Sequence, residues 1–471
     1  MSSSEAVNIA GAPVPAERSI RVELIETIRL ALPIALTQLG QIAMMTTDLA
    51  LIGRLGDAAI AAASLAHTVF FAMFVLGMGA MSAVAPLVAQ AFGARDPRTI
   101  RRSLHVGLWL AVLLTVPLTP VLLLYGEQIL IWLGQAPEAA KLAERYLDGL
   151  TWSLLPAWWF LVLRGFMGSV NRPEPLLWIT LIAIPANAAL GYALIYGEFG
   201  LPRFEMFGAG LATTIVDIAM CAAAFWFAHT QRPFRKFQPL AQSWRIDWPL
   251  MRKLLAVGVP ISGAFLLEYG LFSSAALLMG WIGTTELAAH QIALQTAAVL
   301  FMVPYGIGMA ATVRVGHAVG RGDPQATRRA GFAAIALAAI FMAFMTLVVI
   351  AVRFEIARFF LGSASATGPA AEMAALLLIV GATFFICDGV QTAAAGSLRG
   401  LNDTRMPLLF AAISFWLIGF TVSYVLGFPM RLGAVGVWIG LSCSVVVFAA
   451  FLILRFRWLT ARAYMPEVAR S

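Results

Sequence analysis

The sequence predicts an all-α integral membrane protein whose twelve transmembrane helices form two parallel-repeat six-helix lobes around a central cleft. Three observations predict it. Of the 471 residues, 61% are hydrophobic and only 12% charged, whereas a soluble domain carries about 25% charged residues. Apolar runs of about 20 residues, enough to cross a bilayer, recur about a dozen times between short polar connections. The second half of the chain also repeats the first.

Helices are expected at 28–52, 60–91, 104–125, 146–168, 175–196 and 208–228, and again at 255–279, 287–318, 330–352, 373–397, 406–427 and 433–454. The chain then divides into an N-terminal tail (1–27), an N-lobe (28–228), a polar inter-lobe linker (229–253), a C-lobe (254–455) and a C-terminal tail (456–471). Residues 1–29 mix Ser, Pro, Glu and Arg without a short apolar core, unlike a cleavable signal. A net charge of +8 would suggest nucleic acid in a soluble chain. With both termini inside, however, about 25 of the 32 Lys and Arg fall on cytoplasmic segments, including Arg101, Arg102, Arg235, Lys236, Arg328 and Arg329. The basic charge therefore reports orientation in an inner membrane, and no nucleic-acid partner is expected.

The shift that pairs Pro33 with Pro260 also pairs Gly53 with Gly280, Gly79 with Gly306, Gly93 with Gly320 and Asp96-Pro97 with Asp323-Pro324. Further on, "GSVNRPEPLL" at 168–177 is similar to "RGLNDTRMPLL" at 399–409. An even number of helices per repeat makes the repeats parallel, related by an axis along the membrane normal. Asp96 and Asp323 are expected to cap helices that begin with Pro97 and Pro324. Pro33, Pro86, Pro185, Pro260 and Pro304 lie within helices, where each removes a backbone hydrogen bond and permits a bend. Cys221, Cys387 and Cys443 show no ligand spacing and read as small packing residues.

Function should sit where a membrane helix accepts a carboxylate, at a cost of about 2.5–3.5 kcal/mol on insertion scales. Asp48, Asp217, Glu268 and Asp388 qualify. In the repeat register Glu268 falls opposite Gln41, and Asp48 opposite Ala275, so the lobes are not chemically equivalent. Glu268 and Asp388 lie in the same lobe, where two carboxylates sharing a partly dry site either share protons or bind a neutralising cation. They are the leading candidates for cation coupling, with Asp48 next. Asp217 ranks below, because its window offers no partner. Arg164 and Arg399 are expected near the cytoplasmic ends of the fourth and tenth helices, where snorkelling or loop contacts account for them without a substrate. Met44, Met45, Met73, Met78, Met81, Met302 and Met309, with Trp158, Trp159, Phe384 and Phe385, could face lipophilic cations, although packing is the commoner use. Gln291, Phe384 and Gln391 are further candidates for cavity lining. The five histidines form no ligand pattern and read as packed or loop-facing. No Walker sequence, GxSxG or HExxH occurs. The chain is accordingly expected to be neither an enzyme nor dependent on a cofactor or an ATPase subunit, and to draw on an ion gradient.

The stretches "LALPIALTQLGQIAMMTTDLALIGRLG", "AAHQIALQ", "GIGMAATVRVGHAVGRGD" and "DGVQTAAAGSLRGLNDTRMP" resemble the multidrug and toxic compound extrusion (MATE) family in its NorM-like bacterial branch, over residues 30–454. The resemblance implies antiport of small lipophilic cations against Na⁺ or H⁺ by a monomer. It places the coupling cation, Na⁺ included, at Glu268 and Asp388, with Asp48 matching the acidic position of the first helix and Asn187 a polar position of the fifth. Where relatives often carry Asp or Asn one turn after that Asn, this chain has Gly191; where they often carry Tyr one turn before the Asp of the tenth helix, it has Phe384. The rival expectation is a lipid-linked oligosaccharide flippase, whose anionic substrates call for a cationic cavity.

Overall fold

A computed structural model describes residues 20–198, 200, 202–237, 246–361 and 368–466. The linker residues 238–245 and the tail residues 1–19 and 467–471 lie outside the described residues. Among the described residues, eleven helices are long and apolar enough to cross a membrane, and a pair bent by 50° supplies a twelfth crossing. The first six are α1 (Ile20–Gly53), α2 (Asp57–Gly93), α3 (Pro97–Trp132), α4 (Pro137–Ser169), α5 (Glu174–Tyr196) and α6 (Glu205–Thr230). The second six are α7 (Trp248–Ile282), α8 (Thr284–Gly320), α9 (Pro324–Ala351), the bent α10 (Pro369–Val380 and Ala382–Gly400), α11 (Arg405–Gly427) and α12 (Gly433–Ala461).

The loop chemistry repeats as the sequence does. Asp96 Oδ1 accepts from the Arg98 and Thr99 amides at 3.0 and 3.1 Å, and Asp323 Oδ1 from the Ala326 amide at 2.9 Å. Each caps a helix whose first-turn Pro has no N–H to satisfy. At the ends of α4 and α10, Asn171 and Asn402 take left-handed φ values of 61° and 57°. The next amides, Arg172 and Asp403, then close back onto Met167 and Leu398 at 3.0 Å in both repeats.

Two features depart from the expected boundaries. α1 begins at Ile20 and α12 runs to Ala461, so helix extends into both segments read as tails. At the front, the gain comes from Arg314 of α8, which binds Glu23 at 2.6 Å and also pairs with Glu26, an arrangement that favours helical order in the first turns of α1. The packing also does not divide at the linker. Leu30 and Ala31 of α1 join the core of the C-lobe, while Met44 and Ile52 of the same helix join that of the N-lobe. α7 does the reverse: Leu250, Leu254, Val257 and Ile261 pack with the N-lobe, and Leu271, Ala275 and Leu278 with the C-lobe. The two lobes exchange the first halves of their first helices, with the changeover close to the equivalent Pro33 and Pro260.

At the end bearing these first halves the lobes meet backbone to backbone. A Cβ on Gly93 would stand 3.0 Å from His317 Cα and closer still to its carbonyl oxygen, and one on Gly320 would stand 2.8 Å from Ala94 N and closer still to the Gln90 carbonyl. Gln90 Nε2 donates to the Gly400 carbonyl at 2.9 Å, and His317 Nε2 meets the Ser169 carbonyl at 2.7 Å. Gly93 and Gly320, and Gln90 and His317, are repeat partners, so the same contact is made twice across the seam. Only glycine permits so close an approach.

Candidate functional site

Glu268 of α7 and Asp388 of α10 converge within the C-lobe. Gln391, one helical turn beyond Asp388, stands between them, its Nε2 donating to Glu268 Oε1 at 2.9 Å and to Asp388 Oδ1 at 2.8 Å. Both amide protons are then used, and Gln391 Oε1 is buried with no partner among the described residues. Buried acceptors without donors cost about 1–3 kcal/mol. Glu268 and Gln391 open onto a cavity of about 50 Å³ that Phe265, Tyr305 and Arg399 also line. Asp388, only 6% exposed, lies behind Gln391 and joins the site through it.

A second and larger cavity, about 440 Å³, lies in the N-lobe, lined from α1, α2, α4 and α6. It occupies the halves of those helices remote from the glycine-lined seam. Asp48 opens onto it, held by Asn187 Nδ2 at 2.5 Å and the Thr213 hydroxyl at 3.1 Å. Met44, Met45, Met220, Phe70, Phe71 and Phe74 supply soft and aromatic wall, with His67 stacked on Phe71 at 6.0 Å between ring centroids. Among the described residues no Lys or Arg lines this cavity.

The expected site residues therefore fall into two groups. Glu268, Asp388 and Gln391 come together in one lobe, and Asp48 and Asn187 in the other. Two expectations of cavity lining are corrected. Phe384, 1% exposed, packs in an aromatic cluster with Phe272, Phe385 and Trp438, away from both cavities. Gln291 lies on an exposed face of α8, outside both cavities. The arginines are corrected as well. Arg164, 5% exposed, does not snorkel but bridges the lobes, bonding Gln38 and, at 3.3 Å, the Tyr305 hydroxyl. Arg399 lies over the Phe265 ring at 4.9 Å, inside the Glu268 cavity. His67 lines a cavity, whereas His290 is packed and accepts from Trp438 Nε1 at 3.2 Å.

Sequence reasoning missed Tyr305, Thr213 and Tyr146, and underrated Asp217, which opens onto the same cavity as Asp48. A usable signal was present: Thr213 and Asp217 are four residues apart and share a helix face.

The MatE family model matches residues 33–193 and 260–425, covering both repeats. A protein named "Probable multidrug resistance protein NorM" from Rhodopseudomonas palustris is 62% identical over 461 residues, 98% of this chain and 97% of that protein. One of the same name from Bradyrhizobium diazoefficiens is 60% identical over 442 residues, 93% and 94% of the two chains. Among solved structures, the eukaryotic MATE transporter AtDTX14 superposes with a TM-score of 0.84 at 20% identity, over 94% of this chain and 98% of that one.

Proposed function

The chain belongs to the MatE family, in its NorM-like branch, and from that premise we propose that it exports lipophilic organic cations across a bacterial inner membrane in exchange for Na⁺ or H⁺. The relatives' names support the multidrug reading. The observation that carries the coupling is the orphaned Gln391 Oε1 between two carboxylates. A proton or Na⁺ arriving there neutralises Glu268 or Asp388. Na⁺, as transported cargo, would also find in Gln391 Oε1 a neutral oxygen ligand beside the two acids. The drug occupies the N-lobe cavity, where Asp48 offers charge and the Met and Phe walls offer adaptable apolar surface.

Basic residues cluster at the seam end, among them Arg95, Arg98, Arg101, Arg102, Arg321, Arg328 and Arg329, so that end is read as facing the cytoplasm, where the lobes are in contact. Exchange follows alternating access: the coupling cation, entering from outside, favours drug release, and its departure inside returns the carboxylates for the next cycle. Each ligand must discriminate between the two orientations, since equal affinity for both shifts nothing. The flippase alternative meets an N-lobe cavity of the wrong sign, lined by two carboxylates and, among the described residues, by no Lys or Arg.

The test is ethidium efflux from proteoliposomes with Na⁺ and H⁺ gradients imposed and collapsed separately. Efflux is expected to require at least one of them; uphill efflux with both collapsed would overturn the antiport reading.

A further inference from the structure

Resting on the assignment of the N-lobe cavity to the drug, we propose that Asp217 is a second anchoring carboxylate there, and that the cavity favours lipophilic organic dications over monocations.

The charge count is the first reason. Asp48 and Asp217 both line this space, and among the described residues no Lys or Arg faces them. The C-lobe differs, for there Arg399 shares the cavity with Glu268. Two carboxylates at membrane depth without a resident cation are costly, and a ligand of matching charge relieves that cost. The second reason is that the two acids are used differently. Asp48 is held in place by Asn187 and Thr213. Asp217 has no hydrogen-bond or ion-pair partner among the described residues, although it opens onto the cavity. Tyr146, 5% exposed, lines the same wall, and its hydroxyl likewise has no partner among the described residues. Asn187, fully buried, keeps an unpartnered Oδ1 beside Asp48.

Thr213, which bonds Asp48, and Asp217 are four residues apart on one face of α6. The two carboxylates enter the same space from different helices, α1 and α6, so each can meet its own positive centre of one ligand. A volume of about 440 Å³ suits a drug-sized ligand, and Phe70, Phe71 and Phe74 add aromatic wall to it.

The experiment compares a mono-quaternary arylalkylammonium with its bis-quaternary analogue, binding to full-length protein in nanodiscs. Asp217→Asn should weaken dication binding about tenfold while monocation binding stays within about twofold. Asp217→Glu, which restores the charge, should recover the dication preference, separating a loss of charge from a loss of fold. Asp48→Asn should weaken both probes. Equal loss of both probes in Asp217→Asn, or no change in either, overturns the proposal while leaving the drug site intact if Asp48→Asn still weakens both. If Asp48→Asn also leaves both unchanged, the drug-site assignment falls with it.

Discussion

The two cavities are built on one repeated frame and differ in almost everything chemical. Gln41 lines the N-lobe cavity where its repeat partner Glu268 lines the C-lobe cavity. Asp48 is matched by a buried Ala275, and the register that pairs Asn171 with Asn402 sets Ala157, in the N-lobe wall, opposite Asp388. The N-lobe draws its acids from α1 and α6, the C-lobe from α7 and α10. One space is about 440 Å³ with no lining Lys or Arg among the described residues; the other is about 50 Å³ with Arg399 inside it. Size and charge together separate a space fit for an organic molecule from one fit for a small cation. Duplication preserved the exchanged helices and the glycine seam, while the acids were placed independently.

The strongest way to break this division is Gln391→Leu. Losing the amide that holds Glu268 and Asp388 together should slow gradient-driven efflux about 10- to 100-fold, while equilibrium drug binding stays within about twofold. A parallel fall in drug affinity would show that the C-lobe also serves the drug. Asp48→Asn is the reciprocal probe, expected to weaken drug binding about tenfold with the response to the coupling ion retained; radioligand binding across a Na⁺ and pH series reads both.

Smaller effects test the shared frame. Gly320→Ala forces a Cβ against the Gln90 carbonyl across the seam, so thermal stability should fall by about 1–3 kcal/mol and cytoplasmic accessibility of the cleft to a thiol reagent should rise. Asp96→Ala removes a cap outside the membrane and should cost about 1 kcal/mol at neutral pH by thermal unfolding. Although burial opposes it, hydrogen bonds from Thr99 and from the Thr99 and Arg98 amides, with the charge of Arg102, hold the Asp96 carboxyl below its ordinary value of 3.8. The contribution of this acid is thus complete above pH 3.8 and is lost as pH falls through the lower folded value.

The frame was legible in sequence because it depends on local chemistry: Asp-Pro caps, Pro33 and Pro260, and the glycines of the seam recur at one spacing. Glu268 and Asp388 were legible because a carboxylate in an apolar run is costly wherever it lies. Helix rotation was not. Phe384 stands one turn before Asp388 on the same segment of α10, yet its ring packs in the Trp438 cluster. Asp217 was underrated because the cavity it shares with Asp48 is assembled from helices far apart in sequence. The helix exchange was hidden for a related reason, since hydropathy counts crossings but does not say which lobe a half-helix packs against.

The division of labour is tested most directly by one preparation of the Glu268→Gln, Asp388→Asn double variant, assayed for drug binding in nanodiscs and for gradient-driven efflux in proteoliposomes. The account predicts drug affinity within about twofold of the parent, with uphill efflux abolished under both Na⁺ and H⁺ gradients. Full gradient-driven efflux by this variant would contradict it.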